Sequence, residues 1–188
     1  MTWGFLFLGL WLAWIAYWLA SAIGNKATLR RESPRSQLSH KLPLLVGGIL
    51  LAAPHWPGHW LSQRFLPHSQ VFAPLGVVLL VLGLGFSIWA RIHLGANWSA
   101  TVTLKKDHEL IRSGPYRWVR HPIYTGILLG LLGTVIALGE WRGLLALACM
   151  TLGFIRKIYI EERWLGKAFG PGYDVYKKEV SALIPGIY

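Results

Sequence analysis

Apolar residues in this chain fall in long, nearly unbroken runs rather than in the stripes of an amphipathic globule. Five runs are separated by polar connections: Trp3 to Ile23, Leu42 to Leu61, Val71 to Ile92, Pro122 to Leu138 and Trp141 to Ile160. Each approaches the roughly 20 residues that cross a bilayer core about 30 Å thick. The pattern predicts an all-α, polytopic membrane bundle of about five transmembrane helices, forming a single domain over 1–188. The last two runs are short or polar at one end, which predicts a tight hairpin with one partner incompletely inserted. The first run has no basic leading region, exceeds a usual signal core and shows no convincing cleavage site, so it reads as a retained helix.

Composition agrees: 54% of the residues are hydrophobic and only 14% are charged. The net charge of +11 raises the question of nucleic acid, and its placement answers it. Lys26, Arg30, Arg31, Arg35 and Lys41 fall in the first connection, and Arg91, Lys105, Lys106, Arg112, Arg117 and Arg120 in the third. Arg156, Lys157, Arg163, Lys167, Lys177 and Lys178 belong to the tail, whereas the other two connections hold Arg64 and Arg142. With an odd number of spans, one side receives nearly all the basic charge. The positive-inside rule makes that side cytoplasmic, with the N-terminus out and the C-terminus in. Anionic headgroups therefore account for the excess, and nucleic acid is not expected. No obligate protein partner is inferred.

Punctuation along the chain points to packing. Trp3, Trp18, Trp60 and Trp141 flank the runs and suit interfacial anchors. Pro43 and Pro74 suit first-turn positions, whereas Pro54 and Pro57 bend or end the second helix. Gly126, Gly130 and Gly133 mark one helix surface, and Gly83 with Ser87 another, predicting close helix contacts. Gly83 and Gly85 lie in an apolar run with Ile88 where a third glycine would be needed, and no strand–helix alternation accompanies them. A Rossmann domain is excluded. Cys149 is single and reads as a packing residue. No metal site is expected: Pro57 and Gly58 interrupt the interval between His55 and His59, and no carboxylate or thiol nearby completes a set.

Two polar segments remain, both on the predicted cytoplasmic side. The first, Arg91 to Tyr124, contains Gly114-Pro115-Tyr116 and Arg120-His121-Pro122, then Tyr124, at the entrance to the fourth helix. Pro122 fits the first turn, whose unpaired amides favour an anion. Arg120 adds a planar fork suited to carboxylate, and Tyr116 and Tyr124 add aromatic walls. A pocket for an amino-acid carboxylate and an adenine ring fits these residues; so does a basic juxtamembrane turn with interfacial tyrosines. In the second segment Lys157 and Glu161 lie four apart on one helix face, with Arg156 and Glu162 flanking. An intrahelical ion pair and the rim of a polar cavity both fit. Phe169, Gly170, Gly172, Tyr173 and Tyr176 read as a glycine break and a short surface helix.

The ordered series becomes specific when taken together. Gly95-Ala96-Asn97-Trp98-Ser99, His108-Glu109-Leu110-Ile111, Gly114-Pro115-Tyr116, Arg120-His121-Pro122-Ile123-Tyr124 and Gly126 follow one another in order, and after the hairpin the series resumes with Glu161-Glu162 and Phe169-Gly170-Pro171-Gly172-Tyr173. This series resembles the isoprenylcysteine carboxyl methyltransferase family and its relatives, the phospholipid N-methyltransferases. The resemblance implies membrane helices over 1–93 and a catalytic, cofactor-binding region over 94–188. It implies S-adenosylmethionine as cofactor, with S-adenosylhomocysteine as product. It assigns His108, Glu109, Leu110, Ile111, Tyr116, Arg120, His121, Pro122, Ile123 and Tyr124 to the cofactor. The family's acceptor-handling Arg and Glu fall nearest Lys157, with Arg156 beside it, and Glu161, with Glu162 next in line. That departure by one residue, or from Arg to Lys, weakens a bidentate carboxylate clamp.

The expected activity is methyl transfer to a lipophilic acceptor, an isoprenylcysteine-type carboxylate or a similar lipid, at the cytoplasmic face. The alternatives are a phospholipid amine N-methyltransferase, an NADPH-dependent sterol-type reductase, whose Arg-His-Pro-x-Tyr-x-Gly stretch is similar, and a non-catalytic membrane scaffold. The loop-poor architecture leans toward a bacterial inner membrane.

Overall fold

The computed structural model describes residues 2–23, 28–53, 55, 59–98, 103–105 and 109–187, with backbone alone for 2, 28–31 and 103–105. The order of elements is α1 (Thr2–Ser21), β1 (Thr28–Arg31), α2 (Pro34–Ala52), α3 (Phe72–Leu94), β2 (Thr103–Lys105), α4 (Pro122–Leu138), α5 (Trp141–Phe169) and α6 (Pro171–Glu179). Among the described residues the regular structure is helical apart from β1 and β2, which pair antiparallel. Among the described residues, three segments are long and apolar enough to cross a membrane: Trp3–Ser21, Phe72–Asn97 and Trp141–Phe169, while Pro122–Leu138 is apolar but shorter. Phe5, Leu19, Ile92 and Leu152 turn between 63% and 72% of their surface outward. Apolar faces of that extent need lipid beside them. The chain is an integral membrane protein.

Helix ends alternate between two sides of the bundle. The first and third connections meet through β1 and β2. The second and fourth meet at the opposite end, where Arg64 bridges Glu140 along the backbone and Arg64 Nη1 donates to the Leu138 carbonyl at 3.0 Å. The tail joins the third connection through a parallel bridge between Val119 and Ser181.

Two helices depart from the apolar runs. α2 begins at Pro34, well before Leu42, and ends at Ala52. Its polar first half is stable because Ser33 caps it, accepting from the Ser36 amide at 3.3 Å, and because α5 packs alongside. Pro43 therefore lies inside the helix rather than in its first turn, whereas Pro74 does occupy the first turn of α3. Pro54 and Pro57 lie outside the described residues. α5 continues past Ile160 to Phe169, and stops at Gly170, whose φ of 53° favours glycine.

The glycine surfaces face one another as the sequence predicts. A β-carbon on Gly126 would strike the Gly83 carbonyl and Ser87, and one on Gly133 would strike the Gly76 carbonyl. Backbone thus meets backbone along α3 and α4, which fixes the start of α4 against the end of α3. α2 and α5 approach similarly, with Gly47 against Met150 and Gly153 against Leu44. Trp3, Trp60 and Trp141 are exposed in keeping with anchoring. Trp18 is not: it stacks on Trp14 at 4.4 Å and meets the edge of Trp98 at 5.8 Å.

Candidate active site

Glycine again decides the local geometry. Gly114, at φ 58°, leaves no room for a β-carbon beside the His93 ring and turns the chain into a short 3-10 turn, Gly114–Arg117. That turn buries Tyr116 under the end of α3 and delivers Arg120 and His121 to the start of α4. Pro122 takes the first helical position and no side chain caps the helix. The tail completes the arrangement, since the Arg120 and His121 amides donate to the Ser181 and Ala182 carbonyls at 2.9 and 3.0 Å. At Gly170 the chain reverses, and α6 lays Tyr173 and Tyr176, 1% and 2% exposed, back against the same place. Tyr176 Oη donates to the Tyr116 carbonyl at 2.5 Å.

A cavity lies where these segments meet, with an empty volume of about 880 Å³ including its open mouth. Glu109, Leu110, Ile111, Tyr116, Arg120, His121, Ile123, Tyr124 and Glu161 all line it. The ends of α4 and α5 therefore converge, with His121 and Glu161 on one cavity. Pro122 is fully buried behind the wall. His108 lies outside the described residues. Leu94, Asn97, Trp98, Trp164, Leu165, Phe169, Tyr173 and Tyr176 also line the cavity. Of these, Leu94, Trp164 and Leu165 carry no motif.

The two adjacent glutamates face different partners. Glu161 accepts from Tyr124 Oη at 2.7 Å and lies 3.5 Å from His121 Nδ1. Glu162 turns into a buried cluster. It accepts from Arg120 Nε at 2.8 Å, lies 2.7 Å from Arg120 Nη2, 3.3 Å from His121 Nε2 and 3.0 Å from Lys177 Nζ. Arg120 also donates to the Lys177 carbonyl at 3.2 Å and to the Val180 carbonyl. Its donors are thus committed to tying α5 and α6 together, so it borders the cavity without offering an open fork. Lys157 stands over the Tyr124 ring, its Nζ 5.3 Å from the centroid. Arg156 points elsewhere, its Nε donating to Ser39 Oγ on α2 at 3.2 Å.

Protonation follows from this layout. Burial opposes a charged His121, but its hydrogen bonds to Glu161 and Glu162 and their charge win, and its pKa is raised. Tyr116 and Tyr173 are raised well above the usual phenol value, first by burial and next by a glutamate charge, Glu161 for Tyr116 and Glu162 for Tyr173. Tyr176 is pushed up to about 12 by burial, against the pull of Arg120 and Arg112. These phenols stay protonated, and Tyr116 and Tyr176 donate to the Ala90 and Tyr116 carbonyls. Glu109 and Glu161, set among Trp98, Tyr116, Tyr124, Trp164 and Phe169, suit a cationic ligand that also carries an aromatic ring. The uncapped start of α4 suits a carboxylate on that ligand. The residues present fit S-adenosylmethionine on each count.

Comparison with known proteins gives a consistent picture. The profile of the phospholipid methyltransferase family matches residues 71–172. The protein-S-isoprenylcysteine O-methyltransferase of Schizosaccharomyces pombe is 34% identical over 119 residues, which cover 62% of this chain and 50% of its own. That of Dictyostelium discoideum is 27% identical over 180 residues, covering 93% and 71%. A solved structure of the eukaryotic intramembrane Ras methyltransferase isoprenylcysteine carboxyl methyltransferase matches with a TM-score of 0.53 and 28% identity. The match covers 85% of this chain and 55% of that one. The chain spans about half the length of the fission-yeast relative and of the solved structure.

Proposed function

The chain belongs to the phospholipid methyltransferase family, and from that premise we propose that it methylates a lipophilic acceptor, a prenylated-cysteine carboxylate, at the cytoplasmic membrane face. The observation that carries the proposal is the convergence of His121, Tyr124 and Glu161 on one cavity walled by aromatic rings. S-adenosylmethionine, when bound, supplies a methyl group already activated on a sulfonium. The protein's own task is then alignment and exclusion of water. Glu109, Leu110, Ile111, Tyr116, His121, Ile123 and Tyr124 hold the cofactor, and the Glu161 carboxylate on the cavity wall compensates its positive charge. His108 belongs to the same set by its motif.

A carboxylate acceptor needs no general base, only a cation to orient it. Lys157, beside Tyr124, fills that role better than Arg156, which is held by Ser39 on another face. The acceptor's hydrophobic tail enters from the bilayer and the cofactor from the cytoplasm, with five spans, the N-terminus out and the C-terminus in. The alternating helix ends and the one-sided basic charge support this orientation. Two relatives that are isoprenylcysteine O-methyltransferases favour a carboxylate over an amine, and methylation over reduction.

The test is to reconstitute the chain in liposomes with farnesylcysteine, phosphatidylethanolamine and isotopically labelled S-adenosylmethionine, and to follow the label by mass spectrometry. A labelled, base-labile methyl ester is expected. Label on the amine would overturn the acceptor, and no label on either would overturn the activity. Alanine at His121, Tyr124 or Glu161 is expected to lower transfer by about a hundredfold or more. Full activity in all three variants would overturn the site.

A further inference from the structure

Beside the cavity, on the α2 side of α5, lies a second recess lined by Ser36, Arg156, Ile160, Arg163, Trp164 and Lys167. We infer that this recess binds the phosphate of an anionic membrane lipid, with Arg156, Arg163 and Lys167 as its cationic ligands. The helical intervals of seven and then four residues put the three cations on one face of α5. Among the described residues, no carboxylate pairs with any of them. The neighbouring carboxylates are turned away. Glu32, its side chain 1% exposed, accepts from Ser36 Oγ at 2.8 Å and lies 3.6 Å from His40 Nε2, while Glu161 and Glu162 face the catalytic cavity and its buried cluster. Three like charges gathered without a counter-ion repel one another, and a phosphate between them removes that cost.

The surroundings favour a lipid over a soluble anion. Arg156 and Arg163 flank the Tyr159 ring, at 5.7 and 5.8 Å from its centroid, and Tyr159 is 55% exposed, as an interfacial aromatic would be. The same stripe of α5 runs on into exposed Leu152 and Ile155, and Leu38 of α2 is 61% exposed. Basic heads at one end of an apolar stripe match a headgroup phosphate with its acyl chains. Trp164 lines both this recess and the catalytic cavity. An occupant here therefore presses on a wall of the active site.

The purified full chain in detergent, titrated with phosphatidylglycerol or phosphatidylcholine and followed by native mass spectrometry, tests the inference. Retention of phosphatidylglycerol over phosphatidylcholine is expected, and R163Q/K167Q is expected to lose about tenfold of that preference. R117Q/K178Q removes the same charge from other exposed positions and is expected to keep it. An unchanged preference in R163Q/K167Q, or an equal loss in R117Q/K178Q, overturns the site. Displacement of the lipid by equimolar inorganic phosphate overturns the assignment to lipid. Should R163Q/K167Q aggregate, K167Q alone carries the same comparison with a smaller loss.

Discussion

Glutamine at Glu162 and glutamine at Glu161 are nearly the same chemical change one residue apart, yet the structure assigns them opposite consequences. Glu162 is 8% exposed and holds Arg120, itself 8% exposed, through two nitrogens. Removing its charge leaves a buried guanidinium without a counter-ion, a loss that costs about 3–5 kcal/mol when a buried pair is broken. Lys177 adds little because its side chain is 44% exposed and solvent screens the bridge. The remaining Gln oxygen keeps one acceptor, so the lower end, about 3 kcal/mol, is the expected loss for E162Q. On removal of the Glu161 charge Tyr124 can still donate to the Gln oxygen, and His121 keeps Glu162 as its carboxylate partner. E161Q is expected to lose no more than about 1 kcal/mol while losing methyl transfer. Equilibrium unfolding in mixed micelles measures the first quantity, and labelled-methyl transfer in liposomes the second. Equal stability losses in the two variants would refute this division of labour, as would an E162Q as stable as the parent.

Two further outcomes follow from the packing and the protonation states. G126A forces a β-carbon against the Gly83 carbonyl and is expected to destabilise by about 1–3 kcal/mol. G85A meets open space and should stay within about 0.5 kcal/mol, so equal losses in the same unfolding assay would contradict the α3–α4 contact. Because the folded His121 pKa is raised, its contribution to stability is complete below the unfolded value of about 6.5 and fades as pH climbs through the raised one. Stability should therefore fall on going from pH 6 to alkaline conditions, and H121Q should flatten that slope in thermal melts across pH.

The helices were legible because lipid selects long apolar runs, and the exceptions show what hydropathy cannot see. Ser36, Gln37, Ser39 and Lys41 look like a connection, but they sit in the first half of α2, where Ser33 and α5 stabilise the helix. α5 outlasts its apolar run because Glu161 and Glu162 find partners in protein, and the stop comes from Gly170. In the cavity, Glu109, Leu110, Ile111, Tyr116, Arg120, His121, Ile123, Tyr124 and Glu161 are assigned from the sequence, whereas Asn97, Trp98, Phe169, Tyr173 and Tyr176 stand in its motifs without a role. Leu94, Trp164 and Leu165 carry no motif, although for the last two a signal exists: they lie three and four residues after Glu161 and so share its helix face. Trp18 resembles an interfacial anchor in sequence. Only the tertiary contact with Trp98 shows it supporting the cavity wall. Arg120 could not be told from an open carboxylate clamp, because its partners come from Glu162 and residues 177–180, far along the chain.

The tail's bonds to the start of α4 also set an order of events at the ribosome. When α4 emerges, the amides of Arg120 and His121 have no acceptors, because Ser181 and Ala182 are about sixty residues from being made. Thr125 likewise waits for the Leu183 carbonyl. Membrane insertion of the helices thus precedes completion of the cavity, and a chain halted before residue 181 would hold its spans yet lack a finished site.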